Sequence, residues 1–406
     1  MISEYKEYLS PIKVYIPLTD TEYKIANVHV EIGDKVLEGQ KLADKFSGKL
    51  KRAVISSVSG TVAAFVEKVD RYGKIVDHVV VENNRKGESV EVAIYKEEVT
   101  SSQVRNRLAE FGIDNVSIDG LSSNIDFAKQ VNQIIVSGVF VNEPFVTTDY
   151  EFLAENAEAI SEGIKLLGIA ANTPNLTIVV DKNMATDVLN EVGKAIIDKN
   201  INLELADTKR LNGWENKLVS KFIEGEVKQN VLENGVLFTS VGAAKMIYDA
   251  VRLGQAPVNR QLALTGDGLK SNCIYNVKVG TLLSDLVEDL GGYNDVELME
   301  VHVGSFLTGI QVATDDFAIT KNVESVRVAE YRSVAEDVCI KCGDCNDVCP
   351  AGILPQNIMD AELRSVNARI VDLETALCTE CGLCTYVCPS KINVMEWVRR
   401  AKRRVG

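Results

Sequence analysis

Two copies of one cysteine phrase, C-x2-C-x2-C-x3-C-P, stand in the last third of this chain and constrain it more than any other feature. In this spacing three thiolates hold one iron–sulfur cubane, and the fourth cysteine, followed by proline, serves the other cluster. We therefore expect two 4Fe-4S clusters. The first is expected to use the first three cysteines of the first copy and the last of the second, namely Cys339, Cys342, Cys345 and Cys388. The second is expected to use the converse set, namely Cys378, Cys381, Cys384 and Cys349.

Structural zinc is the competing interpretation, because C-x-x-C pairs also make tetrahedral zinc sites. Zinc needs only two such pairs and has no use for a third cysteine and a C-P step at fixed offsets, so the spacing favours clusters. Disulfide frameworks are typical of short secreted chains. This chain has 406 residues and begins MISEYKEYLS, without the apolar core of a secretory leader. The ninth cysteine, Cys273, stands apart and is expected to be a packed core side chain.

Composition bounds the class of protein. Hydrophobic residues make up 46% and charged residues 25%, which is ordinary for a globular chain with a large core. The net charge of −14 argues against a nucleic-acid partner, since phosphates require a basic face. No apolar stretch approaches the roughly 18 residues of a membrane span. We therefore expect a cytoplasmic protein that meets the cytoplasmic face of a membrane only through partner subunits.

The extreme C-terminus departs from this acidic character. Five cations close the last predicted helix: Arg399, Arg400, Lys402, Arg403 and Arg404. One interpretation is a solvated helix end, where cations suit the helix dipole. The other is a docking patch that steers an acidic electron carrier toward the clusters.

Four regions follow from the pattern of strands and helices. Residues 1–97 carry short β-rich runs with glycines between them. Residues 98–257 alternate strand and helix, which predicts a mainly parallel sheet covered by helices, with any nucleotide beyond the carboxyl ends of the strands. Residues 258–330 predict a small β-grasp unit, and residues 331–406 predict a helical unit that holds the clusters.

The first region resembles a barrel-sandwich hybrid of the lipoyl and biotinyl carrier type. Its two halves are marked by the Gly33-Asp34-Lys35-Val36 and Ser59-Gly60-Thr61-Val62 phrases. Such carriers present a modified lysine midway between these marks, where Lys49 stands here. Its neighbours lack the acidic or methionine residues of those carriers, so we expect an unmodified scaffold.

The whole chain resembles the RnfC family, the RnfC subunit of the Rnf ferredoxin:NAD oxidoreductase. Its relatives include the proline reductase-associated electron-transfer protein and the cobalamin reductase of microcompartments. The phrases that carry the resemblance include EIGDKVLEGQKL, SVGAAKMIYDAVRLGQ, LALTGDGLK, HVGSFLTGI and both cysteine phrases. The resemblance implies a multidomain α/β protein. Its expected parts are a barrel-sandwich hybrid, a Rossmann-like core, a soluble-ligand-binding β-grasp (SLBB) domain and a dicluster ferredoxin domain.

In the RnfC family the α/β core resembles the subunit of respiratory complex I that holds FMN and accepts hydride from NADH. The family's glycine-rich flavin loop is degenerate here, because only Gly112, Ile113 and Gly120 persist and Asp114 and Asp119 add negative charge where a phosphate would lie. Two further phrases of the site also depart from the family pattern. Ser137 stands where the family has an asparagine, and the phrase that reads Q-N-V-G-T in the family begins here with Thr239. Glu143 persists in its Glu-Pro step. These losses argue against FMN; were FMN bound, the positions implied are Gly112, Gly120 and Glu143.

We therefore expect an iron–sulfur electron-transfer protein that passes single electrons between redox partners such as a flavoprotein, a ferredoxin or a reductase complex. One alternative is an FMN-containing NADH dehydrogenase subunit, and another is a structural subunit of a larger redox complex. No catalytic residues are predicted: the three histidines, His29, His78 and His302, have no second ligand type beside them in the sequence and are expected to be packing residues.

Overall fold

The computed structural model describes residues 5–20, 23–48, 50–113, 130–139, 150–207, 215–225, 231–295, 298–304, 309–331 and 335–405. Lys49 lies outside the described residues. No helix among them is long and apolar enough to cross a membrane.

The N-terminal unit is a sandwich of two antiparallel sheets. One sheet has the order β2-β8-β7-β4 and the other β3-β5-β6. Their inward side chains, such as Val14, Leu42 and Val79, are wholly buried between the sheets. The strands are β2 (Lys13–Pro17), β3 (Ile25–Val28), β4 (Lys35–Val36), β5 (Lys41–Ser47), β6 (Leu50–Ile55), β7 (Gly60–Val69) and β8 (Ile75–Asn83). The strand β1 (Tyr5–Tyr8) belongs to a different sheet.

The two glycine-marked phrases of this unit pair with each other. Gly33 donates its N–H to the Val62 carbonyl at 2.8 Å, and Val62 donates to the Asp34 carbonyl at 2.9 Å. At the start of β7 the Glu82 backbone presses so closely on Gly60 that a Cβ there would lie 1.9 Å from the carbonyl oxygen. Only glycine fits at that crossing.

The second unit is a four-stranded parallel sheet in the order β11-β10-β9-β12. Its strands β9, β10 and β12 are almost entirely buried, because helices cover both faces. The order reverses between β9 and β12, which opens a crevice at their carboxyl ends. The elements are α1 (Ser101–Glu110), β9 (Gln133–Ser137), α2 (Tyr150–Glu155), α3 (Ala157–Ala171), β10 (Leu176–Asp181), α4 (Thr186–Ile196), β11 (Ile201–Ala206), α5 (Glu215–Val219), β12 (Val236–Ser240) and α6 (Val241–Tyr248).

The third unit is a six-stranded mixed sheet in the order β1-β14-β13-β17-β15-β16. The first strand of the chain, β1, lies parallel to β14 at its edge. Cys273 is wholly buried in this core beside Tyr275, which confirms that it is a packed side chain. The elements are β13 (Asn259–Thr265), β14 (Cys273–Lys278), α7 (Leu283–Asp289), β15 (Met299–Val303), β16 (Ile310–Val312) and β17 (Ser325–Glu330).

The last unit is helical. Its longest helix, α12, packs against α9 through Val398 and Ala401, which are both wholly buried. The helices are α8 (Asp344–Asp347), α9 (Pro355–Leu363), α10 (Asn367–Asp372), α11 (Leu383–Tyr386) and α12 (Val394–Val405).

Candidate metal centre

The two cysteine phrases fold as two copies of one backbone motif. Lys341 and Glu380, at matching positions, both have φ +55°, and the glycines that precede α8 and α11 have φ +92° and +76°. After each C-P step the chain turns back on itself. The backbone N–H of Gly352 donates to the Cys349 carbonyl at 3.3 Å in the first copy, and the backbone N–H of Lys391 donates to the Cys388 carbonyl at 3.2 Å in the second. The repeat seen in the sequence is therefore a repeat in three dimensions.

The first group of thiols surrounds Cys345, which is buried at the start of α8. Burial raises the pKa of the Cys345 thiol, and the neighbouring thiols of Cys342, Cys339 and Cys388 raise it further. Three of these four cysteines come from the first copy and the fourth from the second.

The second group has the converse composition. Burial raises the pKa of Cys381 to about 12, and the thiols of Cys349 and Cys378 add to the effect. The pKa of Cys384 is raised by burial and by the same neighbours together with Cys381. All four cysteines of this group line one cavity with Pro350, Ile353 and Met395. Such apolar walls keep the site dry, and protons are displaced only when the thiolates gain metal ligation.

The two groups differ in depth. Cys342 of the first group is exposed, and of its other members only Cys345 is buried. In the second group both Cys381 and Cys384 are buried, at 9% exposure each. The first group therefore lies nearer to solvent than the second.

A single zinc ion and a cubane space their thiolate ligands differently. No set of three or more His, Cys, Asp or Glu side chains in the described ranges is arranged to hold one metal ion. A tetrahedral zinc site with Zn–S bonds of about 2.3 Å would bring its sulfurs to within about 4 Å of one another. A cubane attaches each thiolate to a different iron, so its ligands stand farther apart.

Most of the basic residues of α12 form ion pairs inside this unit. Arg399 pairs with Glu380 at 2.9 Å, and Lys402 pairs with the same carboxylate at 3.2 Å. Lys402 also donates to the Cys378 carbonyl at 2.7 Å. Arg404 pairs with the buried Glu362 of α9 at 2.8 Å. The contacts of Arg399 and Lys402 brace the second cysteine copy, and the pairing of these cations disfavours their interpretation as a docking patch.

A cleft of about 720 Å³ opens at the carboxyl ends of β9 and β12, where the resemblance places a flavin. Ser137 and Ser240 line it from the ends of the two strands. The two cations on its described walls are already paired, Lys245 with Asp249 at 2.6 Å and Arg260 with Glu324. The Ser240 hydroxyl accepts the backbone N–H of Ala243, the third residue of α6, so this N–H is not available to a phosphate. The described walls therefore fit a flavin phosphate poorly.

Of the three positions that the resemblance implies for FMN, only Gly112 lies within the described residues; Gly120 and Glu143 lie outside them. Gly112 follows α1 with φ +59°, and a Cβ there would lie 1.9 Å from the carbonyl oxygen of Ala53 in the N-terminal unit. The Lys321 ammonium of the third unit donates to its carbonyl. Gly112 thus serves a junction of three units.

His29 and His78 have structural contacts. His29 and Lys51 both reach the Asp44 carboxylate, at 2.8 and 3.0 Å. His78 is 1% exposed in β8, and its ring bonds the Val76 carbonyl at 2.9 Å. The Asp44 cluster was missed in the sequence, because its members converge only when β3, β5 and β6 pair.

Comparison with known proteins agrees with both ends of the chain. Residues 3–86 match the RnfC barrel sandwich hybrid domain, and residues 327–392 match the 4Fe-4S dicluster domain. The chain is 24% identical over 359 residues to the C subunit of the ion-translocating oxidoreductase complex of Haemophilus influenzae, covering 85% of this chain and 43% of that protein. It is 26% identical over 351 residues to the C subunit of the Na(+)-translocating ferredoxin:NAD(+) oxidoreductase complex of Acetobacterium woodii, covering 83% and 78%.

A third relative is the C subunit of the proton-translocating ferredoxin:NAD(+) oxidoreductase complex of Clostridium ljungdahlii, at 24% identity over 358 residues, covering 85% of this chain and 77% of that protein. The chain thus spans less than half of the Haemophilus protein and about three quarters of the other two. The resemblance stated from the sequence is confirmed. The chain is an RnfC-like protein whose C-terminal part is a 4Fe-4S dicluster domain.

Proposed function

We propose that this chain is an electron-transfer subunit of an oxidoreductase complex, and that it passes single electrons between redox proteins through two 4Fe-4S clusters. The observation that carries the proposal is the grouping of eight thiols into two sets of four, each drawn three-to-one from the two copies. We assign Cys339, Cys342, Cys345 and Cys388 to the first cluster. Cys378, Cys381, Cys384 and Cys349 are assigned to the second.

When bound, the clusters supply one-electron redox chemistry. The chain supplies the eight thiolates, their spacing and the surroundings. Ile353 and Met395 exclude water from the second group. The Lys402 ammonium lies against the Cys378 carbonyl, where its positive charge favours the more negative, reduced state of the site.

The test is metal and sulfide analysis of protein purified without oxygen. We expect about eight irons and eight acid-labile sulfides per chain. Dithionite should bleach the visible absorption and produce the paramagnetic signals of two reduced clusters. Two zinc ions per chain with no labile sulfide would overturn the proposal.

A second candidate, an FMN-containing NADH dehydrogenase subunit, is favoured by one observation, the cleft at the switch point of the parallel sheet. Against it stand the paired cations Lys245 and Arg260 on the cleft wall. We propose that the cleft does not hold FMN. Clusters accept electrons singly and cannot accept a hydride, so NADH alone should fail to reduce the protein. Rapid bleaching by NADH without an added flavoprotein would favour this second candidate.

The finer assignments of fold and place belong to the same proposal. The strand order β11-β10-β9-β12 supports a Rossmann-like core, and the mixed sheet of β13 to β17 supports an SLBB-type β-grasp. The proposed boundaries are residues 1–97, 98–257, 258–330 and 331–406. We place the protein in the cytoplasm, peripheral to the membrane through partner subunits. A structural subunit whose clusters only stabilise the fold would carry the same iron but would exchange no electrons.

A further inference from the structure

The loop that carries the first cysteines is exposed and apolar at its tip. Val338 is 86% exposed and Ile340 is 67% exposed, and they flank Cys339 on both sides. Cys342, two residues further on, is itself exposed. Large aliphatic side chains held in water beside a redox site need an explanation, because burial of their apolar surface would be favourable.

The second copy of the motif provides an internal control. The position of Ile340 is taken there by Thr379, which is 2% exposed, and that of Asp344 is taken by Leu383, which is 0% exposed. The polarity at the first of these positions is inverted with respect to solvent, since the exposed copy has the isoleucine and the buried copy has the threonine. Packing within this chain accounts for Leu383 but not for Ile340.

Carboxylates flank this apolar tip on both sides along the chain. Four exposed acidic residues lie within nine residues of Val338: Glu336, Asp337, Asp344 and Asp347. The cation among them is Lys341. Two cations of this unit, Arg399 and Lys402, pair with its own Glu380. The exposed segment that carries the first cysteines is therefore apolar on both sides of Cys339 and acidic before and after that apolar part.

On the basis of the function proposed above, we infer that this first-loop surface, made of Glu336, Asp337, Val338, Ile340, Asp344 and Asp347, is the docking site of a one-electron carrier protein. The carrier has an apolar patch at its redox centre and a rim of Lys and Arg. Charge complementarity identifies it, because carboxylate rims attract basic rims and repel acidic ones. The apolar centre expels water at the point of closest approach, as at the centre of protein interfaces.

Other occupants fit this surface less well. An acidic ferredoxin would face four carboxylates and an anionic set of thiolates, so its approach would be slowed. A membrane surface of anionic lipid would be repelled for the same reason. An acidic carrier docked at α12 would meet cations that are already held in internal ion pairs.

The probe is mitochondrial-type cytochrome c, a basic haem protein whose exposed haem edge is ringed by lysines. Binding of the oxidised protein to ferric cytochrome c is measured by calorimetry, so that no electron moves. Electron transfer is measured separately by stopped flow, in which one electron passes from the dithionite-reduced protein to the ferric haem iron. Binding and electron transfer are each measured at about 10 mM salt, where surface charges are weakly screened, and at about 300 mM salt, where they are strongly screened.

The test variant combines Glu336→Gln, Asp337→Asn, Asp344→Asn and Asp347→Asn. The control combines Glu98→Gln, Asp187→Asn, Glu191→Gln and Asp198→Asn, which removes the same charge from exposed positions on the second unit. At low salt the test variant should bind and react at least about tenfold more weakly, and the control within about twofold of wild type. The difference should vanish at high salt. Equal losses in both variants would overturn the inference.

A second variant keeps the test independent of charge and of cluster assembly. Val338→Ser with Ile340→Ser changes two exposed side chains, and should weaken binding about fivefold at both salt concentrations while the visible and paramagnetic spectra stay unchanged. Unaltered binding by this variant would also overturn the inference. Protein that carries about eight irons and is reduced by dithionite but shows no preference for this face would leave the proposed function standing and remove the docking site.

Discussion

Gly112 offers a quantitative test of whether this position serves the packing of three units. It ends α1 with φ +59°, and a Cβ there would lie 1.9 Å from the Ala53 carbonyl oxygen of the barrel. A second contact, from the Lys321 ammonium to the Gly112 carbonyl, fixes the same backbone from the third unit. The substitution Gly112→Ala must therefore strain the backbone and displace the barrel.

The magnitude has two parts. An alanine in the left-handed region costs about 1–2 kcal/mol. Relieving the contact with Ala53 requires a backbone shift, which costs about 1–3 kcal/mol on the scale of overpacked cores. The free energy of unfolding should therefore fall by about 2–4 kcal/mol once the lower entropy of the unfolded alanine chain is counted. Gly87→Ala is the matched control, because Gly87 has φ +64° and open space where its Cβ would lie.

The assay is urea denaturation followed by far-ultraviolet circular dichroism, with all three proteins in the same state of cluster loading. Gly87→Ala should lose only the conformational part, about 1 kcal/mol after the lower entropy of its unfolded chain is counted. Gly112→Ala should lose about 1–3 kcal/mol more than the control. Equal losses in the two variants would refute the reasoning.

Three further outcomes are expected. Glu324→Gln should lower the free energy of unfolding by about 3–5 kcal/mol, because it leaves the buried Arg260 charge unpaired. The double variant Arg260→Met with Glu324→Leu should recover most of this loss, and a loss under about 1 kcal/mol in Glu324→Gln alone would contradict the argument. Burial lowers the pKa of His78, so below about pH 6.5 the unfolded state binds more protons than the native state, and the native state loses stability as pH falls. His78→Gln should flatten this dependence of the melting temperature on pH between about pH 7.5 and 5, and an unchanged slope would exclude His78 as its source. Thr100→Ala should lower the free energy of unfolding by about 1 kcal/mol in the same denaturation assay, because the Thr100 hydroxyl caps α1 by accepting the backbone N–H of Gln103. No loss would mean that water replaces the cap.

Much of the architecture could be predicted because its signals are local. Each cysteine phrase spans only 12 residues, and the buried strands β9, β10 and β12 appear in the sequence as continuous apolar runs. The glycine phrases at Gly33 and Gly60 predicted two halves that the structure pairs directly.

What the sequence could not predict depends on partners that are distant along the chain. The strand β1 pairs with β14, whose residues lie about 270 positions away, so nothing local assigns it to the third sheet. The cations of α12 looked available to a partner until the fold brought Glu380 and Glu362 beside them. The difference in depth between the two cysteine groups is likewise set by packing, since the two phrases have the same spacing.

The measurement that tests the central claim most directly is paramagnetic resonance of the dithionite-reduced Cys388→Ala variant. If each cluster draws its fourth ligand from the other copy, this change should damage the cluster of Cys339, Cys342 and Cys345 and leave the other signal intact. Cys349→Ala should give the mirror image, with loss of the signal of the more buried group. Loss of the second signal and retention of the first in Cys388→Ala would contradict the crossed assignment on which the account rests.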